Sequence, residues 1–219
     1  MKKISGILLL NAIALGNCAF ASGAQSGITF GVNTGIAIPS GWLKGDDLYN
    51  SYDQDPSIIS ASQKKNNITG GLSLGYDYAI NNAISVGVEI ATQYAYNITE
   101  VKGSSATDSM KNTLSVLSVP MFLTGKFFIP NTGGLNLFAK AGYAYNRVKD
   151  KSEYSTPFGD TNTSSYQNLW RPVVAGGVGY KLGSFNIFTQ YQYNWLPLLG
   201  QSGGVSSITF GATYTLSVF

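Results

Sequence analysis

Any chemistry in this chain has to be done without imidazole, because the sequence contains no histidine. That removes Ser-His hydrolysis, imidazole general bases and histidine-ligated metals. One Gly-x-Ser-x-Gly string does occur, Gly71-Leu72-Ser73-Leu74-Gly75. A nucleophile elbow needs a strand-to-helix turn and a base beside its serine. This string instead alternates like the interior of a strand, so Ser73 reads as a small residue packing a sheet. Gly176-Gly177-Val178-Gly179 lacks the Lys-Ser/Thr and the helix of a phosphate cradle and reads as a close-packed strand segment. Asp46, Asp47, Asp53 and Asp55 crowd one polar stretch without the ligand spacing of a calcium loop, so a solvated acidic loop is expected. No catalytic residue, no cofactor and no metal site is expected.

A different polar set is informative. Asp77, Glu89, Lys126, Lys140 and Arg171 fall on the small-residue face of alternating segments. In Asn67–Asn97, Ile68, Leu72, Leu74, Tyr76 and Tyr78 share one face of a first run. Ile84, Val86, Val88, Ile90, Tyr94 and Tyr96 share one face of a second, with Ala79–Asn82 between the runs. Successive strand side chains point to opposite faces, so this is a hairpin with one apolar and one small, polar face. A membrane barrel turns the apolar face to lipid and fills its interior from the other. The five charges then point inward. Glu89 and Lys140 should lie at similar depth, and Asp77 and Lys126 both near one end. Buried charges need partners, so these residues are expected to form ion pairs that plug the lumen.

The elements that would position them recur along the chain. Alternating segments begin at Gly27, then make up the hairpin, then cover Asn112–Phe128, Leu135–Val148, Tyr166–Lys181, Phe185–Trp195 and Val205–Phe219. Pro120 should weaken pairing or mark a bulge. The connections alternate: Pro39–Asn66, Ile98–Lys111, Lys149–Ser165 and Leu196–Gly204 read as the longer loops. Ala79–Asn82, Ile129–Gly134 and Leu182–Ser184 read as tight turns. Sorting of long and short connections to opposite ends is the topology of an outer-membrane barrel, with the short turns in the periplasm. Tyr76, Tyr78, Phe127, Tyr180, Phe185 and Phe219 fall near one set of strand ends. Tyr94, Tyr96, Tyr143, Tyr145, Trp170, Tyr193 and Trp195 fall near the other, as two interfacial aromatic girdles.

Residues 1–21 carry the marks of a secretory signal peptide: Lys2 and Lys3, an apolar run from Ile4 to Leu15, and Ala19-Phe20-Ala21 before the cut. Cys18 also admits a lipoprotein cut, which Asn17 fits poorly. With the cut after Ala21, residues 22–219 form one barrel domain without cysteine, hence without disulfides or thiolate metal sites. Removal of Lys2 and Lys3 leaves twelve basic against 11 acidic side chains, which argues against nucleic acid as a partner.

The signal segment, the eight alternating strands, the sorted connections, Phe219 and the stretch Leu135-Asn136-Leu137-Phe138-Ala139-Lys140-Ala141-Gly142-Tyr143-Ala144-Tyr145 together resemble the small outer-membrane β-barrel superfamily. That group holds the OmpA transmembrane domain, OmpX, opacity-type proteins and OmpW. The resemblance implies an all-β, eight-stranded antiparallel up-and-down transmembrane barrel in the outer membrane of a Gram-negative bacterium. Expected partners are the bilayer and its lipopolysaccharide, the outer-membrane assembly machinery, and an extracellular or host factor at the loops. The function it implies is non-enzymatic: a structural or interaction role, adhesin- or antigen-like, through long loops. Outer-membrane enzymes of this architecture use a histidine, which this chain lacks. The alternative is OmpW-like passage of small apolar molecules, or a narrow gated pore, for which an in-facing apolar patch of Phe122, Phe138, Val173 and Phe188 would speak. A secreted lipocalin-like binder would need a polar exterior, against the alternation.

Overall fold

A computed structural model describes residues 23–65, 67–197 and 202–217. The expected signal segment, Cys18 and Phe219 lie outside them. Nine strands are present among the described residues: β1 (Gly27–Gly41), β2 (Ser60–Lys64), β3 (Ile68–Ala79), β4 (Ile84–Ser104), β5 (Ser109–Phe128), β6 (Leu135–Thr156), β7 (Gly159–Leu182), β8 (Phe185–Trp195) and β9 (Gly203–Ser217). A 3-10 turn (Trp42–Lys44) and one helix, α1 (Asp46–Gln54), lie between β1 and β2.

Eight strands close into a ring. Each pairs antiparallel with its neighbours in the order β1, β3, β4, β5, β6, β7, β8, β9, and β9 returns to β1 with Gly27 opposite Ser217. The ninth strand, β2, is an addition that pairs with the far end of β4. Period-two alternation explains the ring's two surfaces. Leu72, Leu74, Val86, Val88, Leu123, Leu137, Val178 and Phe210 are exposed on the outside, whereas Thr29, Thr69, Ser85, Thr124, Gln190, Ser207 and Thr209 are buried inside. The polar-in, apolar-out arrangement excludes the lipocalin-like reading.

Irregularities fall where the backbone chemistry demands them. The β4–β5 ladder is interrupted between Ile90–Met121 and Gln93–Ser118, opposite Pro120, whose nitrogen has no proton to donate. A bulge follows between Ala95 and Thr99, with Asn97 at φ 45°. Asn97 N–H donates to Ser115 Oγ (3.1 Å), and Ile98 is turned fully inward.

The tight turns lie at one end of the ring, around residues 80–83, Ile129–Gly134 and 183–184. At the other end the structure departs from the sequence reading. The expected loops Ile98–Lys111 and Lys149–Ser165 are mostly strand. β6 and β7 have 22 and 24 residues, while about 9–11 suffice to cross a bilayer. Both arms of each hairpin stay paired almost to the tip, in β4–β5 after the register shift at the bulge, because the ladder between them satisfies their backbone groups in water as well as in lipid. Polar residues on both faces hid that continuation from a hydrophobicity pattern. In the expected loop 39–66, residues 42–64 likewise form a structured excursion through the 3-10 turn, α1 and β2.

A ring with no open edge in its membrane-spanning part keeps every ladder bond internal. Folded protein should therefore migrate differently on a denaturing gel before and after boiling, and show strand-type far-ultraviolet dichroism. Identical migration of verified folded material would contradict the closed ring.

Candidate functional site

The lumen is built in tiers from the in-facing residues. In the tier nearest the tight turns, Lys126 Nζ donates to Asp77 Oδ2. Gly87 faces them, and a Cβ there would come within 2.6 Å of Asp77 Oδ1, so the glycine makes room for the carboxylate. Lys181 Nζ donates to the Gly23 carbonyl (2.7 Å) and lies over the Phe128 ring. Asn136 Nδ2 donates to Asn186 Oδ1 (2.8 Å).

The middle tier holds one cation in an apolar box. Lys140 Nζ donates to both oxygens of Glu89, at 2.8 and 2.9 Å, and the side chains are 8% and 10% exposed. The same ammonium lies 5.4–5.9 Å from the ring centres of Phe122, Phe138 and Phe188. Phe138 and Phe188 meet edge to face. Gly177 of the glycine-rich string finds its role here, since a Cβ there would come within 2.6 Å of the Phe138 ring; on β9, a Cβ at Gly211 would come within 2.6 Å of the Phe188 ring. Above this tier Gln192 Nε2 donates to Gln93 Oε1, Gln93 Nε2 to Ser207 Oγ, and Asn194 Nδ2 to Ser118 Oγ. A cavity of about 10 Å³ bordered by Gln93, Ser118 and Asn194 has room for about one water molecule.

The mouth at the long-hairpin end is closed by apolar residues. Leu43, Ile98, Ala37, Val116, Val148 and Leu196 form a buried cluster, with Trp42 and Leu169 packed against it. Trp42 Nε1 donates to the Leu196 carbonyl and Thr99 Oγ1 to the Leu43 carbonyl, both at 2.7 Å. Gly41 and Gly45, at φ 60° and 69°, flank the 3-10 turn and let it dip into the mouth. This lid was missed in the sequence, where residues 39–66 read as a polar surface loop. The signal was present: Gly41-Trp42-Leu43-Lys44-Gly45 sets two large apolar residues between glycines.

Four of the five expected lumen charges meet as two pairs, Glu89 with Lys140 and Asp77 with Lys126. Arg171 does not join them. It sits near the mouth, where Nη2 donates to the Pro197 carbonyl (3.5 Å), and no carboxylate among the described residues lies within ion-pair distance. Alternation gives Arg171 the inward phase, but its height on β7 is four residues beyond Ala175, the residue opposite Lys140. Ser73 lies beside Gly31, and among the described residues no cluster of acidic, cysteine or histidine side chains could hold a metal ion.

The long hairpins make a second surface. Past the girdle, β2, β4, β5, β6 and β7 continue as one sheet. Glu100 binds Lys102 and Lys111, and Glu153 binds Lys111 and Lys151. Partial burial would raise the Glu100 carboxyl, but hydrogen bonds and charge from the two lysines together hold it below its usual range. A hydrogen bond from Lys151, with Lys111 alongside, holds Glu153 low too. On the opposite, axis-facing side, Asn112 Nδ2 donates to Tyr52 of α1 (2.9 Å), docking the helix over the sheet.

The model of the OmpA-like transmembrane domain matches residues 32–216. The chain belongs to that family. It is therefore an outer-membrane barrel, and barrels of this kind keep their short turns in the periplasm and their longer connections outside the cell. Solved structures similar to this family member include Neisserial surface protein A (12% identity, 88% of this chain and 99% of that chain, TM-score 0.48). Ail, the attachment invasion locus protein of Yersinia pestis, is similar at 13% identity over 87% of this chain and 100% of that one (TM-score 0.44). The outer membrane protease OmpT of Escherichia coli is similar at 10% identity over 87% and 94% (TM-score 0.46). No curated protein matches the sequence.

Removing one member of a buried ion pair leaves the other uncompensated, at about 3–5 kcal/mol in a dry site. Glu89→Gln and Lys140→Met should each lower the unfolding free energy measured in urea with lipid vesicles. The double variant should lose less than the sum of the two, whereas additive losses would show that the pair does not interact. Leu43→Ala should destabilise by about 2–5 kcal/mol, and increase protease cutting within residues 39–66. Cutting unchanged from the parent would show that Leu43 does not anchor the lid.

Proposed function

We propose that the protein is a non-enzymatic outer-membrane surface protein that works by recognition, adhesin- or antigen-like, through its extracellular sheet. The observation that carries this reading is the upper half of β7. Residues 159–172 pair with β6 on one side, and β8 joins the other side only from Val173. Among the described residues a run of extended backbone is thus left open to an added strand from a partner. Phe158, fully exposed at the hairpin tip, stands beside it. The absence of histidine and the position of Ser73 inside a strand support a non-enzymatic role. In this reading Glu89–Lys140 and Asp77–Lys126 are structural pairs that keep the lumen shut.

The alternative of passage for small apolar molecules draws on Phe122, Phe138, Val173 and Phe188, all of which do face inward. Phe122, Phe138 and Phe188 surround the Lys140 ammonium, which supports the closed barrel.

The decisive experiment expresses the protein on a non-adherent bacterium and compares it with a variant in which residues 150–165 are replaced by a short turn. The parent should confer binding to host cells or extracellular matrix. The trimmed barrel, still heat-modifiable, should not. Bilayer recordings of the parent should show no stable pore. Equal adhesion by both proteins, or steady conductance, would overturn the reading.

A further inference from the structure

The chain does not leave the ring where β1 begins. At the tight-turn end, which is the periplasmic end in barrels of this kind, Gly27 opens β1 opposite Asp77 and Ser217. Residues 23–26 run under the ring rather than away from it. Ala79 N–H donates to Ser26 Oγ and Ala24 N–H to the Asn82 carbonyl, both at 2.9 Å, which ties the segment to the rim between β3 and β4. A Cβ on Gly23 would come within 2.6 Å of the same Asn82 carbonyl, so a glycine lets the backbone pass this close. The Gly23 carbonyl in turn accepts from Lys181 Nζ (2.7 Å). Lys181 belongs to β7, which stands opposite β3 in the ring of eight. The segment therefore touches both sides of the opening. Gln25, between these contacts, is half-buried, with its Oε1 withdrawn from solvent.

A tube open at its end leaves its last tier wet. Here the lowest in-facing side chains, Asp77, Ser85, Asn136, Lys181 and Thr215, are only 0–8% exposed. Lys181 is the most telling of them. A lysine at an open rim can turn its ammonium out to water on a flexible stem. Lys181 instead lies inward over the Phe128 ring, with no carboxylate among the described residues within ion-pair distance. A buried ammonium needs an oxygen to accept from it. Among the described residues the Gly23 carbonyl is the acceptor it reaches.

We propose that residues 23–26 form a strap that seals the tight-turn end of the lumen, with Lys181 as its latch. Trp42 and Leu43 close the other mouth, so the Glu89–Lys140 and Asp77–Lys126 pairs lie in a compartment shut at both ends. The strap is built from this chain alone. It rests on the closed ring and is independent of the recognition role of the long hairpins.

The test measures how fast a small, charged, membrane-impermeant methanethiosulfonate reagent reaches a cysteine in the folded protein in nanodiscs. The one cysteine of the sequence is replaced (Cys18→Ser), and a probe is placed at Ser85, in the lowest tier, or at Ser118, above the Glu89–Lys140 tier. Deletion of residues 23–25 leaves Ser26 and all of β1 in place. It should speed labelling of Ser85→Cys about tenfold or more, by opening that end alone. Labelling of Ser118→Cys should stay as slow as it is with the strap present. Equal Ser85→Cys rates with and without the strap would overturn the inference. So would acceleration at both probes, which would show that the deletion loosens the whole barrel. Should the shortened chain lose its heat-modifiable migration, Gly23→Val is read in the same way, because its side chain cannot fit against the Asn82 carbonyl.

Discussion

Everything in this molecule depends on pairing the backbone where no water can do it. An unpaired N–H or C=O in hydrocarbon costs several kcal/mol, so a sheet that crosses a membrane has to close. The closure is the β1–β9 ladder, which runs from Gly27–Ser217 to Gly41–Gly203 and leaves the spanning region without an edge. Once the ring is closed, the inside and outside of every strand are assigned together. A one-residue slip would put Glu89 and Lys140 into lipid.

Closure also creates the problem that the lumen solves. Eight strands enclose a bore that side chains can just fill, and the interior faces of this chain are poor in large apolar residues. The bore is filled instead by tiers that pair charge with charge and amide with amide. Glycines at 87, 177 and 211 stand where a carboxylate or a ring must fit. The middle tier is mixed: three phenylalanines supply volume, and Lys140 with Glu89 supplies a directional contact that a purely apolar plug would lack. The lid on the extracellular side is the most conventional hydrophobic core in the protein, and it is built from a connection rather than from the barrel wall alone.

Above the membrane the constraint relaxes and the architecture changes character. In water a strand edge is permitted, so β7 runs on with one side unpaired among the described residues, and β2 is added to β4. The charges there are exposed and shared, with two glutamates serving three lysines. Such pairs contribute little to stability.

The sequence by itself determined the barrel. Alternation, sorted connections and aromatic ends are consequences of a two-residue repeat and a two-sided environment, and both are written locally. The inward phase of Asp77, Glu89, Lys126, Lys140 and Arg171 followed from the same repeat. What alternation cannot supply is height, because depth depends on strand tilt and register. Arg171 therefore shared a face with the ion pairs but not their level. The sequence also could not show that polar hairpin arms stay paired beyond the membrane, since in water both loop and ladder satisfy a polar strand. Only the tertiary structure decided that Trp42 and Leu43 leave the surface. Their burial requires the mouth formed by Ile98, Val116, Val148 and Leu196, residues from four distant parts of the chain that meet only when the ring has closed.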